Sequence, residues 1–323
     1  MIRRNLVSIL AIGLLASLST YAQDTLPSRV RIVSAFSVGS GPDAMLRIIA
    51  ESLASSWKIP VVVENKPGGS GFIAIAEAKR SVPDGTTLLH LEGMNVTALP
   101  HLYKKLPYSV KRDLAPITPL HESYFFVAVP ANSPYKTVNQ LLAAAKASPN
   151  KLTYGSWQIG SIAHLGGEML SDAAAVRMTH VPYKENSTLY TSLARGDIDW
   201  AFASIPSAGN LEKAGKLRFI AIAAPQREPA HPDVPTVLES GGPANFAASS
   251  WVGLFAPAGT PPSVIERMNA DINKVLRSSS VTARMKEIGY TATGSSVAAM
   301  NSLIDKQGTE LGQAVRKINL TLD

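Results

Sequence analysis

The 323-residue chain contains no cysteine. That single absence removes disulfide frameworks, cysteine-ligated zinc, iron–sulfur clusters and thiol nucleophiles together. Charge is scarce as well: charged residues make up 17% of the chain, and no block of five or six like charges occurs. The formal net charge of +7 is therefore spread over solvated faces. It gives no reason to expect nucleic acid and supports only a mild attraction for small anions. Neither a Gly-x-Ser-x-Gly elbow nor a His-Glu-x-x-His pair is present, so the local signatures of α/β hydrolases and zinc peptidases are missing. No metal and no cofactor is expected. What the chain does have is apolar residues, 46% of the total. That is enough to bury a core, in about two domains of ~150 residues each.

Long hydrophobic runs are also missing, with one short exception at the start. Arg3 and Arg4 precede the apolar run Leu6 to Leu18, and Thr20 and Ala22 put small residues where a signal peptidase reads. This predicts a signal peptide over residues 1–22, cleaved after Ala22, since the run falls short of the roughly 20 residues that span a bilayer. The mature protein is then expected outside the cytoplasm, with two fewer positive charges.

Beyond residue 22 the pattern alternates between strand and helix. Strands are expected at Arg29–Phe36, Ile59–Glu64, Thr86–His90, Tyr124–Val129, Leu152–Gly155, Thr179–Pro182, Asp199–Ala203, Arg218–Ala223 and Ser250–Phe255. Helices are expected at Pro42–Trp57, Phe72–Arg80, Val138–Ala147, Ile162–Ala173, Leu189–Arg195 and, near the end, 262–277 and 297–317. Strands separated by single helices indicate an α/β fold with parallel sheets. The stretches near residues 121–124 and 241–250 read as two crossings. They would set domain I, residues 23–122 plus 248–323, apart from domain II, residues 123–247.

Two strand-to-helix corners carry the chemistry: Ser37-Val38-Gly39-Ser40-Gly41 and Ser156-Trp157-Gln158-Ile159-Gly160-Ser161. Each places small residues with free backbone N–H groups where a strand's carboxyl end meets a helix start. Such a corner can hold an anion through oriented amides and the helix dipole. The alternative is that the glycines and serines only make tight turns. His164 sits in the first helical turn after Ser161, where ligand contact and packing are both open. Trp157 suits a cover over a flat ligand, whereas Phe36 suits the end of a buried strand. Lys184 and Glu185 read as solvated charges. The run Gly69-Ser70-Gly71-Phe72-Ile73-Ala74 fits a dinucleotide fingerprint only loosely, because Asn65 to Gly68 separate it from the strand.

Several blocks in order carry a family resemblance: VVVENKPGGSG (61–71), PDGTTLL (83–89), LYKKLPYSVKRDLAPIT (102–118), HVPYK (180–184), AGKLRFIAI (214–222), PDVPTVLESG (232–241) and SWVGLFAPAGTP (250–261). The chain resembles the periplasmic, Bug-type substrate-binding proteins of tripartite tricarboxylate transporters. The resemblance implies a two-lobed type II periplasmic-binding-protein fold that closes on a carboxylate in a cleft between the lobes. It implies no catalysis, and partners that are membrane permease subunits or, alternatively, a sensor kinase. A monomer is expected. Carried onto this chain, the site would comprise Phe36, Ser37, Val38, Gly39, Ser40 and Asp43, with Gly71 and Phe72. Opposite them would stand Ser156, Trp157, Gly160, Ser161 and His164, with Tyr183, Glu185, Ala203 and Ser204.

The departures from the family pattern fall in the same places. Ser37 and Gly39-Ser40 stand where a Pro and a Gly-Gly are usual. Phe72 replaces a common Asn, Trp157 a small residue, Glu185 a Gly, and Ala203-Ser204 an Asp-Asn-like pair. They make an aromatic carboxylate plausible beside di- or tricarboxylates. The rival from another class is an exported α/β hydrolase.

Overall fold

The computed structural model describes residues 28–322 apart from residue 289. The expected signal peptide lies outside the described residues. The first strand, β1 (Val30–Ser34), is a buried apolar run, and α1 (Gly41–Trp57) follows it. Ser40 caps α1, Pro42 sits in its first turn, and Met45, Leu46, Ile49 and Leu53 turn its apolar face inward. Next come β2 (Val61–Asn65), a 3₁₀ turn at Gly69–Gly71, α2 (Phe72–Lys79) and β3 (Thr87–Glu92). Three one-turn helices, α3 (Met94–Thr97), α4 (Leu99–Leu102) and α5 (Val110–Asp113), lead into the long β4 (Leu114–Tyr124).

The middle of the chain builds β5 (Phe126–Pro130), α6 (Val138–Ala147), β6 (Thr153–Trp157), α7 (Ile162–Ala173) and β7 (Thr179–Tyr183). It continues with α8 (Asn186–Arg195), β8 (Trp200–Ala203), α9 (Ile205–Lys213) and β9 (Leu217–Ile222). Then β10 (Ser249–Pro257) returns to the first half, followed by α10 (Pro262–Leu276), α11 (Ser279–Glu287) and α12 (Val297–Lys317).

The strands form two five-stranded sheets, in the order β2-β1-β3-β10-β4 and β7-β6-β8-β5-β9. Both are mixed, which corrects the expectation of parallel sheets. β1 runs parallel to β2 and β3, and β6 parallel to β7 and β8, as βαβ units require. By contrast β10 is antiparallel to β3 and β4, and β5 to β8 and β9. The reason is that β5 and β10 are delivered by the chain crossing between the halves rather than by a helical return. The two crossings bond to each other: Phe125 N–H donates to Ala248 O at 3.0 Å, and Ala223 N–H to Phe125 O at 2.8 Å.

The C-terminal helix ties the halves together. Met300 and Ile304 of α12 lie in a first-sheet core with Val33, Leu89 and Phe255. Leu311 and Val315, further along, join the core of the second sheet with Val127, Tyr154 and Trp200. Lys317, in its last turn, pairs with Asp172 at the end of α7. No helix among the described residues is long and apolar enough to cross a membrane.

Candidate functional site

The first corner is made by the carboxyl end of β1 and the start of α1. Gly39 has φ +76°, a backbone conformation that a residue with a Cβ adopts only under strain. The Asp43 N–H donates to Ser40 Oγ at 3.4 Å, a long cap bond. In return Asp43 Oδ2 accepts from Gly39 N–H at 2.9 Å and from Arg47 Nε at 3.0 Å. Its other oxygen accepts from Asn65 Nδ2 at 2.7 Å, and Asn65 Nδ2 also donates to Phe36 O at 3.0 Å. Burial alone would raise the Asp43 carboxyl, but the donors from Arg47, Asn65 and Gly39 outweigh it and hold it below the usual carboxylate value. Asp43 is 1% exposed, and its carboxylate is occupied in shaping the loop. Ser37, Val38 and Gly39 are exposed, and the N–H groups of Ser37, Val38 and Gly41 make no hydrogen bond among the described residues. Phe36 packs inward, tilted over the ring of buried His90 at 4.9 Å.

The second corner joins β6 to α7 and repeats the device. Gly160 has φ +79°. His164 N–H donates to Ser161 Oγ at 3.3 Å, while the Gly160 N–H donates to His164 Nδ1 at 3.0 Å. The sequence Gly-Ser-x-x-His thus closes the same loop as Gly39-Ser40-x-x-Asp43. Ile159, Ile162 and Ala163 keep N–H groups without a partner among the described residues. The His164 ring stacks on His180, centroids 3.8 Å apart and planes 12° from parallel. His180 Nε2 lies 2.7 Å from Ser156 Oγ, and the Ser156 hydroxyl bonds Gln158 O at 3.0 Å. Burial pushes both histidines down to about 4, so both are neutral at pH 7.

The structure also places the remaining expected site residues. Trp157 is half-buried, 5.4 Å from the Phe125 ring, and packs against the second-sheet cores. Phe72 sits edge-on to Tyr103 at 5.4 Å and to Tyr108 at 5.8 Å, and touches cores of both halves. Gly71 has φ +88°, and a Cβ there would lie 2.9 Å from Asn95 Nδ2, so glycine is required. Tyr183 O accepts the Gln158 N–H at 2.9 Å and so braces the second corner. Glu185 is exposed at the start of α8, without a capping bond. Ala203 is wholly buried in a core cluster, so its side chain cannot meet a solute. Ser204 caps α9, its Oγ 2.8 Å from Ser207 Oγ. Asn65, Arg47 and His180 were not singled out as site residues from the sequence, although Asn65 and His180 stand in two of the family-like blocks, 61–71 and 180–184.

Two surface cavities, of about 140 and 770 Å³, lie between α7 and α12, the smaller reaching the crossings. None of the expected site residues lines either. Among the described residues each corner offers unpaired amides at a helix start, and Arg47, the arginine beside the first corner, is already bonded to Asp43 and Asn65. That arrangement suits an oxygen-rich anion better than a cation. Among the described residues no group of three or more histidine or acidic side chains could hold a metal.

A profile for the family described as tripartite tricarboxylate transporter family receptor matches residues 45–320. A UPF0065 protein from the tcbD-tcbE intergenic region of Pseudomonas sp. (strain P51) is 33% identical over 314 residues, covering 96% of this chain and 93% of that one. Among solved structures, R. palustris Rpa4515 with adipate superposes with a TM-score of 0.74 at 26% identity, covering 91% of this chain and 98% of that one. MatC from Rhodopseudomonas palustris with bound malate gives a TM-score of 0.69 at 26% identity, covering 89% and 98%.

Proposed function

Since the chain belongs to the tripartite tricarboxylate transporter receptor family, we propose that it is a periplasmic receptor that captures a small organic carboxylate and hands it to membrane permease subunits. The observation that carries this reading is the doubled corner. Among the described residues two helix starts, one on each sheet, hold unpaired backbone N–H groups and no free cationic side chain. The lobes would be residues 23–122 plus 248–323 and residues 123–247, with the solute in the cleft between the corners. A solute gripped from both sides stabilises the closed arrangement over the open one, which is how capture is coupled to recognition by the permease. The adipate and malate held by structural relatives support a carboxylate as the ligand class. The receptor would act as a monomer.

Geometry also speaks against turnover. Among the described residues two serine–histidine side-chain pairs occur, Ser156 with His180 and Ser34 with His90, the latter 3.0 Å apart. Both serines are fully buried. Ser156 directs its hydroxyl to a carbonyl, and neither histidine is bonded to a carboxylate that would orient it as a base. Burial drives His90 down to about 3, far from the range useful to a general base at neutral pH.

Thermal-shift and calorimetric titration of the mature chain against adipate, malate and benzoate tests the reading. At least one should raise the melting temperature by mass action and bind with one-to-one stoichiometry. No shift with any of them, together with hydrolysis of p-nitrophenyl esters, would favour the hydrolase instead. Co-purification with a histidine kinase rather than a permease would move the receptor from transport to sensing.

A further inference from the structure

The segment that follows α12 ties the two halves together at the second corner. Asn319, at φ +51°, ends the helix, and the Leu320 N–H turns back to Val315 O at 3.2 Å. The Leu322 N–H then donates to Leu102 O at 2.9 Å. Leu102 closes α4, in the first half of the chain. A Cβ on Gly160 would lie 3.2 Å from Leu102 Cδ1 and 3.3 Å from Leu322 Cδ1, so the two leucines form a seat for the bare backbone of the second corner. Ile318 and Leu320 pack on the second-sheet core, but the rest of the attachment is light. Lys317 pairs with Asp172 where both side chains are more than half exposed, and such a pair contributes little. The two cavities between α7 and α12 leave the α7-facing side of α12 unfilled, and Leu322 is 36% exposed. A segment held by so few contacts opens at low cost.

We propose that residues 318–322 are a latch between the halves. Closed on Leu102, the latch seats the second corner and favours the arrangement in which the halves meet; released, it lets them part. This rests on the two-lobed reading above and adds a control that touches no solute. The seat lies on the corner that would grip the solute, so capture and latching stabilise the same arrangement, and each must strengthen the other. Weakening the latch lowers the fraction of the binding-competent arrangement and, with it, the apparent affinity.

Distances between the halves test it. The chain lacks cysteine, so nitroxides on Ser56→Cys and Lys146→Cys, both exposed and one in each half, report the separation by double electron–electron resonance. Leu322→Pro removes the N–H donor and the side-chain contact together, whereas Leu322→Ala keeps the donor. Without ligand, Leu322→Pro should add a second distance population, and Leu322→Ala a smaller one. Saturating adipate or malate should return Leu322→Pro to the wild-type distribution. The better of these probes should bind that variant about twofold to tenfold more weakly than wild type, the worth of one neutral hydrogen bond. A ligand-free distribution in Leu322→Pro identical to wild type, while either probe moves the wild-type distances, overturns the latch alone. A new population in Leu322→Pro, with neither probe bound by the wild type, supports the latch and counts against the carboxylate reading. Distances that never move, in wild type or variant, with or without probe, overturn the latch and the two-lobed reading together.

Discussion

The first and second corners share a backbone and differ in electrostatics. In both, a glycine in the left-handed region precedes a capping serine, and the side chain four residues after the glycine reaches back to its N–H. In the first corner that side chain is a buried anion, neutralised by Arg47 and tied to Asn65. In the second it is a neutral ring, supported by a stacked histidine. The same loop can therefore be held by charge or by a neutral lone pair. The choice sets what holds each corner: an ion-paired carboxylate in the first, a neutral imidazole in the second.

The largest break in this symmetry should come from Asp43→Ala. It leaves the Gly39 N–H, Asn65 and Arg47 without their shared acceptor, and breaking a buried, bonded charge in this way costs about 3–5 kcal/mol. We expect a fall in melting temperature of roughly 10 °C and loss of carboxylate binding, both read from the same thermal-shift series.

Trp157→Ala comes next. From the sequence Trp157 looked more like a cover for a ligand than a core residue, but its contact with Phe125 and with two cores gives it a packing role as well. A loss of about 2 kcal/mol is expected for this half-buried side chain, alongside a change in ligand preference. A stability equal to wild type in chemical denaturation would contradict the packing role.

Acid should loosen both corners through their buried histidines. His164 and His180 have folded values near 4, and His90, under Phe36 of the first corner, about 3, all below their ordinary value of 6.5. The unfolded chain therefore binds more protons between pH 6.5 and 4, and stability falls as pH drops through that window. The loss is up to about 1.4 kcal/mol per pH unit for each histidine. Asp43 is depressed below its ordinary 3.8, so its contribution persists until pH falls below that value. Chemical denaturation across this range should show stability falling already above pH 4; a flat profile down to pH 4 would contradict neutral buried histidines.

The smallest effects belong to the caps. Ser40→Ala and Ser161→Ala each remove a long bond, 3.4 and 3.3 Å, and should each cost at most about 1 kcal/mol. Equal costs in urea melts would sharpen the view that the corners share a backbone device.

The positions of both corners were legible because strand, Gly/Ser turn and capped helix are local patterns. What closed each loop was half legible. Gly-Ser-x-x-Asp and Gly-Ser-x-x-His share a spacing, but nothing in the sequence says that the fifth side chain turns back to the first N–H. The contacts of Asn65 and His180 were invisible for a different reason, since each reaches its corner across a sheet from a neighbouring strand. Strand β4 is absent from the expected strands, and Pro116 and Pro119 within it hide it, since proline is rare inside a strand. The sheet accommodates both prolines at irregularities in the β4–β10 register. Helix α9 was missed since Pro206 and Gly209 look like turn residues, although Pro206 lies in its first turn and Ser204 with Ser207 forms a capping box. The antiparallel strands followed from the path of the chain between halves, which periodicity does not encode.

The most direct test of the account is an amide NMR titration of ¹⁵N-labelled mature protein with adipate or malate. The N–H resonances of Ser37 and Val38 in one corner and of Ile162 and Ala163 in the other should move together on a single binding curve. Saturable binding that leaves these amides still, or moves those of one corner only, would contradict a carboxylate held by backbone groups from both halves.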